Sequence, residues 1–330
     1  MKNEHYVPRR YLRHFANNKK FFVYDKEQRK NRPGSIEDYA SERYFYDVDF
    51  EALKQEKLEQ DPDFQFDPEI EKFMKEVDEQ YIEKWFAENV ETWLFDPIDK
   101  IITKFVMSNP STLTVQEVLD DLELNSLALY MAIQIVRSKE FRNYIVEMNE
   151  RFPLLMAKKI AQQNQDKELL EFLDTIKLQV KNKNHKKLLH AQALMDEEMV
   201  TQIAERLRAK IWVIGFNRTD VDLITSDSPV VRFGRLGQHG LNSKGIEIFF
   251  PITPQLIICL RDPEFFWFDE ESHNHFVEVN EEEVKYYNSF QVLQSYRYIF
   301  GKKNNFQKVH EIVTEHPELQ DIDREKILMG

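Results

Sequence analysis

The stretch IEIFFPITPQLIICL, residues 246–260, holds two runs of β-branched and aromatic side chains on either side of a proline-containing turn. Short apolar runs of this composition predict β-strands at 246–250 and 256–260 rather than helices. Because the same pattern recurs at both ends of the chain, we expect an α+β fold in which the N- and C-terminal segments form one mixed sheet. The other predicted strands are 20–25, 44–46, 211–214, 223–225, 276–279 and 297–300, with a turn at 31–35.

The middle of the chain has the periodicity of helices. Apolar residues recur at spacings of three and four from Glu69 to about Phe95, and Thr114 with Glu117 has the spacing of a capping box. We therefore expect an N-terminal part of the core (1–65), a large inserted helical lobe (66–209) and a C-terminal, strand-rich part of the same core (210–330). The predicted helices are 69–95, 98–107, 114–122, 126–148, 154–163, 168–181, 187–209, 281–294 and 306–316.

The composition excludes several classes of protein. Only eight of the 330 residues are glycine, and none lies in a P-loop or dinucleotide-binding pattern. The N terminus has no signal-peptide pattern and no apolar run reaches the ~18 residues of a membrane span, so we expect a cytoplasmic protein with no membrane partner. The single cysteine, Cys259, lies in an apolar run and is interpreted as a core residue.

Charge is distributed unevenly along a chain whose net charge is -13. Residues 1–32 carry ten Lys or Arg against three Asp or Glu, whereas residues 37–99 carry six against twenty-one. The negative total argues against nonspecific adhesion to nucleic acid or anionic lipid. The basic arm and the acidic helices could clamp an anionic ligand, or they could simply be two solvated surfaces that attract each other.

A polar segment, Thr225-Ser226-Asp227-Ser228-Pro229, follows a predicted strand. Pro229 disfavours a helical conformation for Ser228, which leaves Asp227 at the end of a sheet, where binding sites often gather. The alternative is a turn in which Asp227 and Ser226 bond to nearby backbone groups.

Near the N terminus, His5 is the side chain best suited to proton transfer near neutral pH or to metal ligation. Arg9, one helical turn later, suits a phosphate or carboxylate because guanidinium offers a bidentate fork. A structural His5 that packs with Tyr6 against the last strands is the alternative.

Three further polar residues need partners. Glu42 precedes the aromatic run 44–46 and could be a carboxylate held at the edge of the core or one half of an ion pair. Gln134 and Arg137 lie three residues apart on a strongly apolar predicted helix, so they share a face and could point at the same site.

Residues 5–15 together with 224–230 resemble a domain-of-unknown-function family known by its His-Tyr-Val-Pro signature, family number 4238. Similar family features are found at 22–25, 41–46, 134–137, Trp212 and 250–254. The family tends to carry Asn where this chain has Ser228. The resemblance supplies no reaction, although the occurrence of such proteins in mobile bacterial and phage genomes implies a role in phage defence.

Two functions are therefore predicted. In the first, His5, Glu42 and Asp227 bind Mg²⁺ or Mn²⁺ or act as acid and base, so that the protein is a metal-dependent phosphodiesterase or nuclease-like hydrolase acting on nucleic acid or a nucleotide. The residues that would hold the substrate are Tyr6, Arg9, Gln134, Arg137 and Ser226. In the second, the protein is a non-catalytic sensor or binding module for a small anion, or for a protein partner that contacts the acidic helices.

Overall fold

A computed structural model describes residues 3–65, 67–68, 81–108 and 114–325, and the fold is α+β. The stretch 246–260 forms two antiparallel strands at the centre of a five-stranded mixed sheet. Nearly every residue of the central strands is buried, which explains why they are continuous apolar runs rather than alternating ones. The strand order is β10-β5-β9-β8-β7, with β5 Ile211–Asn217, β7 Val231–Gly234, β8 Ile246–Thr253, β9 Leu256–Arg261 and β10 His275–Val279.

The two ends of the chain share a second sheet, which is four-stranded and antiparallel. The mixed sheet is thus built from C-terminal segments alone, and the shared sheet is a separate one. Its strands, in spatial order, are β3 Lys30–Ser35, β2 Lys20–Asp25, β11 Tyr298–Gly301 and β6 Thr225–Ser226. The prediction of a turn at 31–35 was wrong: those residues lie in β3, where Pro33 is tolerated because β3 is an edge strand.

A short pair of strands holds the N terminus. Strand β1, Asn3–His5, pairs with β4, Ser41–Arg43. The predicted strand at 44–46 lies three residues too late, because Tyr44 has a φ of 54° and the chain turns there.

Helix boundaries differ from the predicted ones where a different residue caps the helix. The prediction of a capping box at Thr114 and Glu117 was wrong, because Asp120 and Glu123 form the capping box instead. The predicted helix 168–181 ends early, and 187–209 is interrupted at Asp196, which caps a new helix. The helices are α1 Arg9–Leu12, α2 Phe50–Gln60, α3 Tyr81–Trp85, α4 Asp96–Met107, α5 Asp121–Val136, α6 Lys139–Gln163, α7 Lys167–Thr175, α8 Lys183–Met195, α9 Glu197–Arg208, α10 Glu281–Gln294 and α11 Gln307–Glu315.

Two predicted breaks also differ. The predicted break between 122 and 126 is absent, since α5 runs through these residues. Helices α5 and α6 are separated at Ser138 instead, whose side chain caps α6 by accepting a hydrogen bond from Phe141 N. Helix α6 continues through Pro153, where a break was expected. Of the predicted helix 69–95, residues 69–80 lie outside the described residues, and α3 is followed by a π-helical turn, Phe86–Val90, and a 3₁₀ turn, Trp93–Phe95.

Helix α5 belongs to the same hydrophobic core as the N-terminal segment and the mixed sheet. Leu127 and Met131 of α5 are fully buried in one cluster with Tyr11, Trp212 and Phe250. This burial carries the polar side chains at the C-terminal end of α5 into the interior of the protein. In the described part of the chain, no helix is long and apolar enough to cross a membrane.

Candidate functional site: the junction of the chain ends and a lysine groove

The N-terminal signature segment and the segment 225–229 are in direct contact. Tyr11 Oη lies 2.6 Å from Thr225 Oγ1 and donates a hydrogen bond to Pro251 O at 2.5 Å. Since the phenol has only one proton, Thr225 is the donor in the first of these bonds. The Tyr11 ring stacks on Phe250 with 5.2 Å between ring centres. We call this region, where residues 5–11 meet 225–229, the junction.

Asp227 is fully buried in the junction and both carboxylate oxygens are occupied. Oδ1 accepts a hydrogen bond from Tyr296 N, and Oδ2 accepts from Arg297 N and Tyr298 N, all at 2.8 Å. Burial raises the pKa of Asp227, while the Tyr298 and Arg297 amides and the Lys26 ammonium act in the opposite direction. The carboxylate therefore fixes the chain that leads into β11.

Ser226 is also committed to the fold. Its Oγ donates to Gln291 Oε1 at 2.7 Å and accepts from Ser228 N, and Gln291 Nε2 donates to Pro229 O. The hydroxyl thereby ties the segment 226–229 to α10.

His5 lies in β1 with its ring largely buried. Nε2 is 3.2 Å from Ile36 O, so this nitrogen carries the proton of the neutral ring. Burial, followed by the charge of Arg9, lowers the pKa of His5 to about 4. Arg9 itself points outward to an exposed pair with Glu37 at 2.7 Å. His5 is therefore neutral at physiological pH.

Gln134 and Arg137 hold the backbone of the signature segment rather than an external ligand. Gln134 Nε2 donates to Tyr6 O at 3.1 Å, and Arg137 Nη2 donates to His5 O at 2.5 Å. The Arg137 guanidinium also lies over the Phe86 ring at 4.2 Å. Gln134 Oε1 and Arg137 Nη1 are buried and have no hydrogen-bond partner among the described residues.

Tyr6 and Glu42 complete the set of predicted site residues. Tyr6 is buried against Phe45, and burial raises the pKa of its hydroxyl, with further contributions from Asp227 and Glu42. Glu42 Oε2 lies 2.5 Å from Lys139 Nζ. Burial acts to raise the pKa of Glu42, but the Lys139 ammonium outweighs it and the pKa lies below its usual value. Glu42, Asp227 and Tyr6 thus share one electrostatic environment.

The predicted metal ligands do not fit a divalent ion. Asp227 has both oxygens bonded to amides, Glu42 is paired with Lys139, and His5 Nε2 is bonded to Ile36 O. Across the residues that the structure describes, no group of three or more His, Cys, Asp or Glu side chains is placed to hold a metal ion. The three predicted ligands are thus each bonded to other groups of the protein and are not grouped around one point.

A second polar region, which the sequence analysis did not identify, lies in the helical part. A cavity of about 670 Å³ is bordered by α6, by the non-helical segment that follows α7, by the start of α8 and by residues 323–325. We call this cavity the lysine groove. Its charged lining residues are Arg151, Lys158, Lys177, Lys181, Lys186 and Arg324 with Glu147, Glu150, Asp323 and Glu325.

The cations of the lysine groove are only partly neutralised. Lys158 pairs with Asp174 at 2.6 Å, and Arg151 pairs with Glu147 and with Glu325. Lys177, Lys181 and Lys186, in contrast, have no carboxylate partner among the described residues. Arg324 also pairs with Glu140. The groove therefore holds three lysines without an ion pair, in a lining that also contains the carboxylates of Glu150 and Asp323.

The N-terminus of α8 adds to this charge. Lys183, Lys186 and Lys187 fall within the first five residues of the helix, and its first turn has no acidic residue. The N-terminal end of a helix carries a partial positive charge, so cations there are unfavourable unless an anion is near. The sequence signal was available: residues 175–195 contain five lysines and no Asp or Glu.

A second cavity, of about 740 Å³, lies between α10 and α11 and offers a comparison. Its lysines are mostly paired: Lys285 with Glu281 and Glu282, Lys303 with Asp222, and Lys308 with Glu311. A lining rich in lysine is therefore not by itself unusual in this protein. Within the described ranges of the chain, three lysines of the lysine groove have no ion-pair partner, against one, Lys302, in the second cavity.

Comparison with known proteins gives one match. A family model described as "Protein of unknown function (DUF4238)" matches residues 3–305, a range that includes both sides of the junction and the lysine groove residues from α6 and α8. No curated protein and no solved structure matches the chain.

Proposed function

The chain belongs to the DUF4238 family of proteins of unknown function, and we propose that it binds a phosphate-bearing anion, a nucleic acid or a nucleotide, in the lysine groove. The observation that carries this proposal is that Lys177, Lys181 and Lys186 border one cavity and pair with no carboxylate in the part of the chain that the structure describes.

Physical chemistry favours an anion here. Three ammonium groups around one groove repel each other, and the partial positive charge of the α8 N-terminus adds to that repulsion. A phosphate group would relieve the repulsion among the lysines and the repulsion from the helix N-terminus, because both are common partners of phosphates in proteins. Binding through charge in this way gives affinity without requiring a particular base sequence.

This proposal corresponds to the binding module of the sequence analysis, at a different place in the fold. The junction supports it less well, because Asp227 and Ser226 hold protein groups through their side-chain oxygens, and Gln134 Nε2 and Arg137 Nη2 donate to protein backbone. The metal-dependent hydrolase and its role in phage defence stay predictions, and no reaction step is assigned to His5, Glu42 or Asp227.

The test is a binding titration followed by fluorescence anisotropy, with a labelled oligonucleotide and a labelled ATP analogue as probes. The triple variant Lys177→Gln/Lys181→Gln/Lys186→Gln should lose roughly tenfold or more in affinity, since each removes a charge contact to phosphate. The matched control, Lys285→Gln/Lys303→Gln/Lys308→Gln, makes the same change of net charge in the other cavity and should bind as the wild type. Equal affinities for the two triple variants would overturn the proposal.

A further inference from the structure

The last residues that the structure describes contribute to the wall of the lysine groove. We call residues 321–325, Asp-Ile-Asp-Arg-Glu, the acidic segment. Asp323, Arg324 and Glu325 line the cavity, together with side chains of α6 and of the start of α8. Because the same lining holds three lysines without an ion pair, two carboxylates of the protein's own chain lie where an anionic ligand would bind.

Arg324 anchors the acidic segment to the rest of the protein. Its Nη2 donates hydrogen bonds to Ser295 O at 2.9 Å and to Glu140 Oε1 at 3.2 Å. Only 12% of the Arg324 side chain is exposed, and hydrogen bonds from a charged donor are among the stronger ones in proteins. Just before the segment, Leu319 is buried in a hydrophobic cluster with residues of α11. The segment is therefore positioned by contacts that lie outside the groove.

The contact that the acidic segment makes within the groove is weaker. Glu325 Oε2 lies 2.9 Å from Arg151 Nη2, but 69% of the Glu325 side chain is exposed. An exposed ion pair of this kind contributes little to stability, because water and salt screen it. A ligand that carries phosphate can therefore replace the Glu325 carboxylate beside Arg151 at small cost.

From this arrangement we propose that the acidic segment is autoinhibitory: it occupies part of the lysine groove with its own carboxylates, and a phosphate-bearing ligand displaces it. This inference rests on the proposed function and adds its regulation. When a ligand binds only the undocked state, its apparent affinity is reduced by the fraction of molecules in that state. Any change that loosens the acidic segment should therefore tighten binding.

The competing interpretation is that the acidic segment is a fixed wall of the binding site, in which Arg324 contacts the ligand. The hydrogen bonds of Arg324 argue against it, since both terminal nitrogens of the guanidinium donate to backbone carbonyls or to Glu140. The charge of the segment argues against it as well. Carboxylates at Asp323 and Glu325 would repel a phosphate that was held beside them.

The first experiment measures the affinity of the full chain for a labelled oligonucleotide and a labelled ATP analogue by fluorescence anisotropy. Glu140→Gln breaks the ion pair that anchors Arg324, and Glu140 does not itself belong to the described lining of the groove. This variant should bind both probes about threefold more tightly or better, because the undocked fraction increases. Arg324→Gln should also raise affinity, although it takes a cation away from the lining.

The matched control is Asp121→Asn, which makes the same change of net charge as Glu140→Gln. It removes an exposed carboxylate paired with Arg208 and should leave affinity unchanged. An equal rise in this control, or unchanged affinity in Glu140→Gln, would overturn the autoinhibitory role. Lower affinity in Arg324→Gln would overturn it too, since that result would show that Arg324 contacts the ligand.

A second experiment follows the acidic segment itself. Trypsin cleaves after arginine, so the rate of cleavage after Arg324, measured by mass spectrometry, reports how often the segment is undocked. Competition for the groove is reciprocal, so a saturating oligonucleotide should speed this cleavage by about threefold or more in the wild type. The lysine triple variant should show no such response. Slower cleavage with the oligonucleotide bound would show that the segment closes over the ligand and would overturn the inference.

The outcomes separate this inference from the proposed function. If the lysine triple variant weakens binding but Glu140→Gln and Arg324→Gln do not raise it, the inference is wrong and the proposed function stands. If the wild type and both of these variants bind neither probe, the proposed function is overturned together with the inference.

Discussion

Tyr11 and Thr225 are 214 residues apart in the chain, yet Tyr11 Oη and Thr225 Oγ1 lie 2.6 Å from each other in the buried interior. The contact joins the N-terminal segment to the strand that enters the shared sheet. Together with Asp227, which accepts from the amides of residues 296–298 where β11 begins, it makes the junction a centre of stability.

Substitution Tyr11→Phe should destabilise the fold by about 1–3 kcal/mol. It removes the hydroxyl that accepts from Thr225 Oγ1 and donates to Pro251 O, so two buried polar atoms each lose a hydrogen bond. Urea unfolding followed by far-ultraviolet circular dichroism measures the change. The control is Tyr44→Phe, whose side chain is exposed. A Tyr11→Phe protein as stable as the wild type would contradict the structural role given to this contact.

Substitution Asp227→Asn should lower the free energy of unfolding by about 2 kcal/mol or more. An amide has one acceptor oxygen, and its NH₂ group would face backbone N–H donors that the carboxylate now satisfies. The loss should appear in thermal unfolding, and Asp220→Asn, at an exposed position, should have little effect. An Asp227→Asn protein of unchanged stability that has lost a function would instead support the catalytic prediction for this residue.

His5 should make stability depend on pH in the acid range. Its pKa is about 4 in the folded protein and about 6.5 when unfolded, so the folded state prefers the neutral ring. The stabilisation is complete above pH 6.5 and is lost as the pH falls towards 4, by up to about 3 kcal/mol.

The measurement is the free energy of unfolding from pH 8 to pH 4 for the wild type and His5→Gln, which cannot titrate. His14, His190 and His273 also have lowered pKa values and contribute to both curves, so the difference between the curves isolates His5. The difference should be constant above pH 6.5 and change below it. Parallel curves over the whole range would show that His5 is not buried as described.

Glu325 should compete with an anionic ligand for the lysine groove. Its carboxylate lies 2.9 Å from Arg151, which lines the groove. Exposed pairs of this kind contribute about 0.2–1 kcal/mol, so Glu325→Gln should raise affinity for an oligonucleotide by up to roughly fivefold. Glu318→Gln, which removes an exposed carboxylate paired with His316, is the control. Reduced affinity in Glu325→Gln would show that this carboxylate assists binding.

Sequence patterns predicted the fold class because apolar runs and strand composition are local. They failed where local signals compete. Thr114 with Glu117 and Asp120 with Glu123 both have the spacing of a capping box, but only Asp120 directly precedes the continuous apolar face of α5. Pro33 indicated a turn, and only its place at the sheet edge allows a strand there.

The residues of the candidate site were predicted only in part, again because sequence signals are local. The polar residues of both chain ends could be identified in the sequence, but their partners could not, since Asp227 is bound by amides some 70 residues away and Arg137 by the carbonyl of His5. The unpartnered lysines of the groove were visible as a run without acidic residues. That three of them border one cavity follows only from the packing of α6, α7 and α8.

The salt dependence of oligonucleotide affinity tests the central claim most directly. For a single strand, each phosphate contact contributes about -0.7 to the slope of log K against log salt concentration. The account predicts that Lys177→Gln/Lys181→Gln/Lys186→Gln makes this slope less negative by about 2 relative to the wild type, while Lys285→Gln/Lys303→Gln/Lys308→Gln leaves it unchanged. The same slope in all three proteins would contradict the assignment of phosphate binding to the lysine groove.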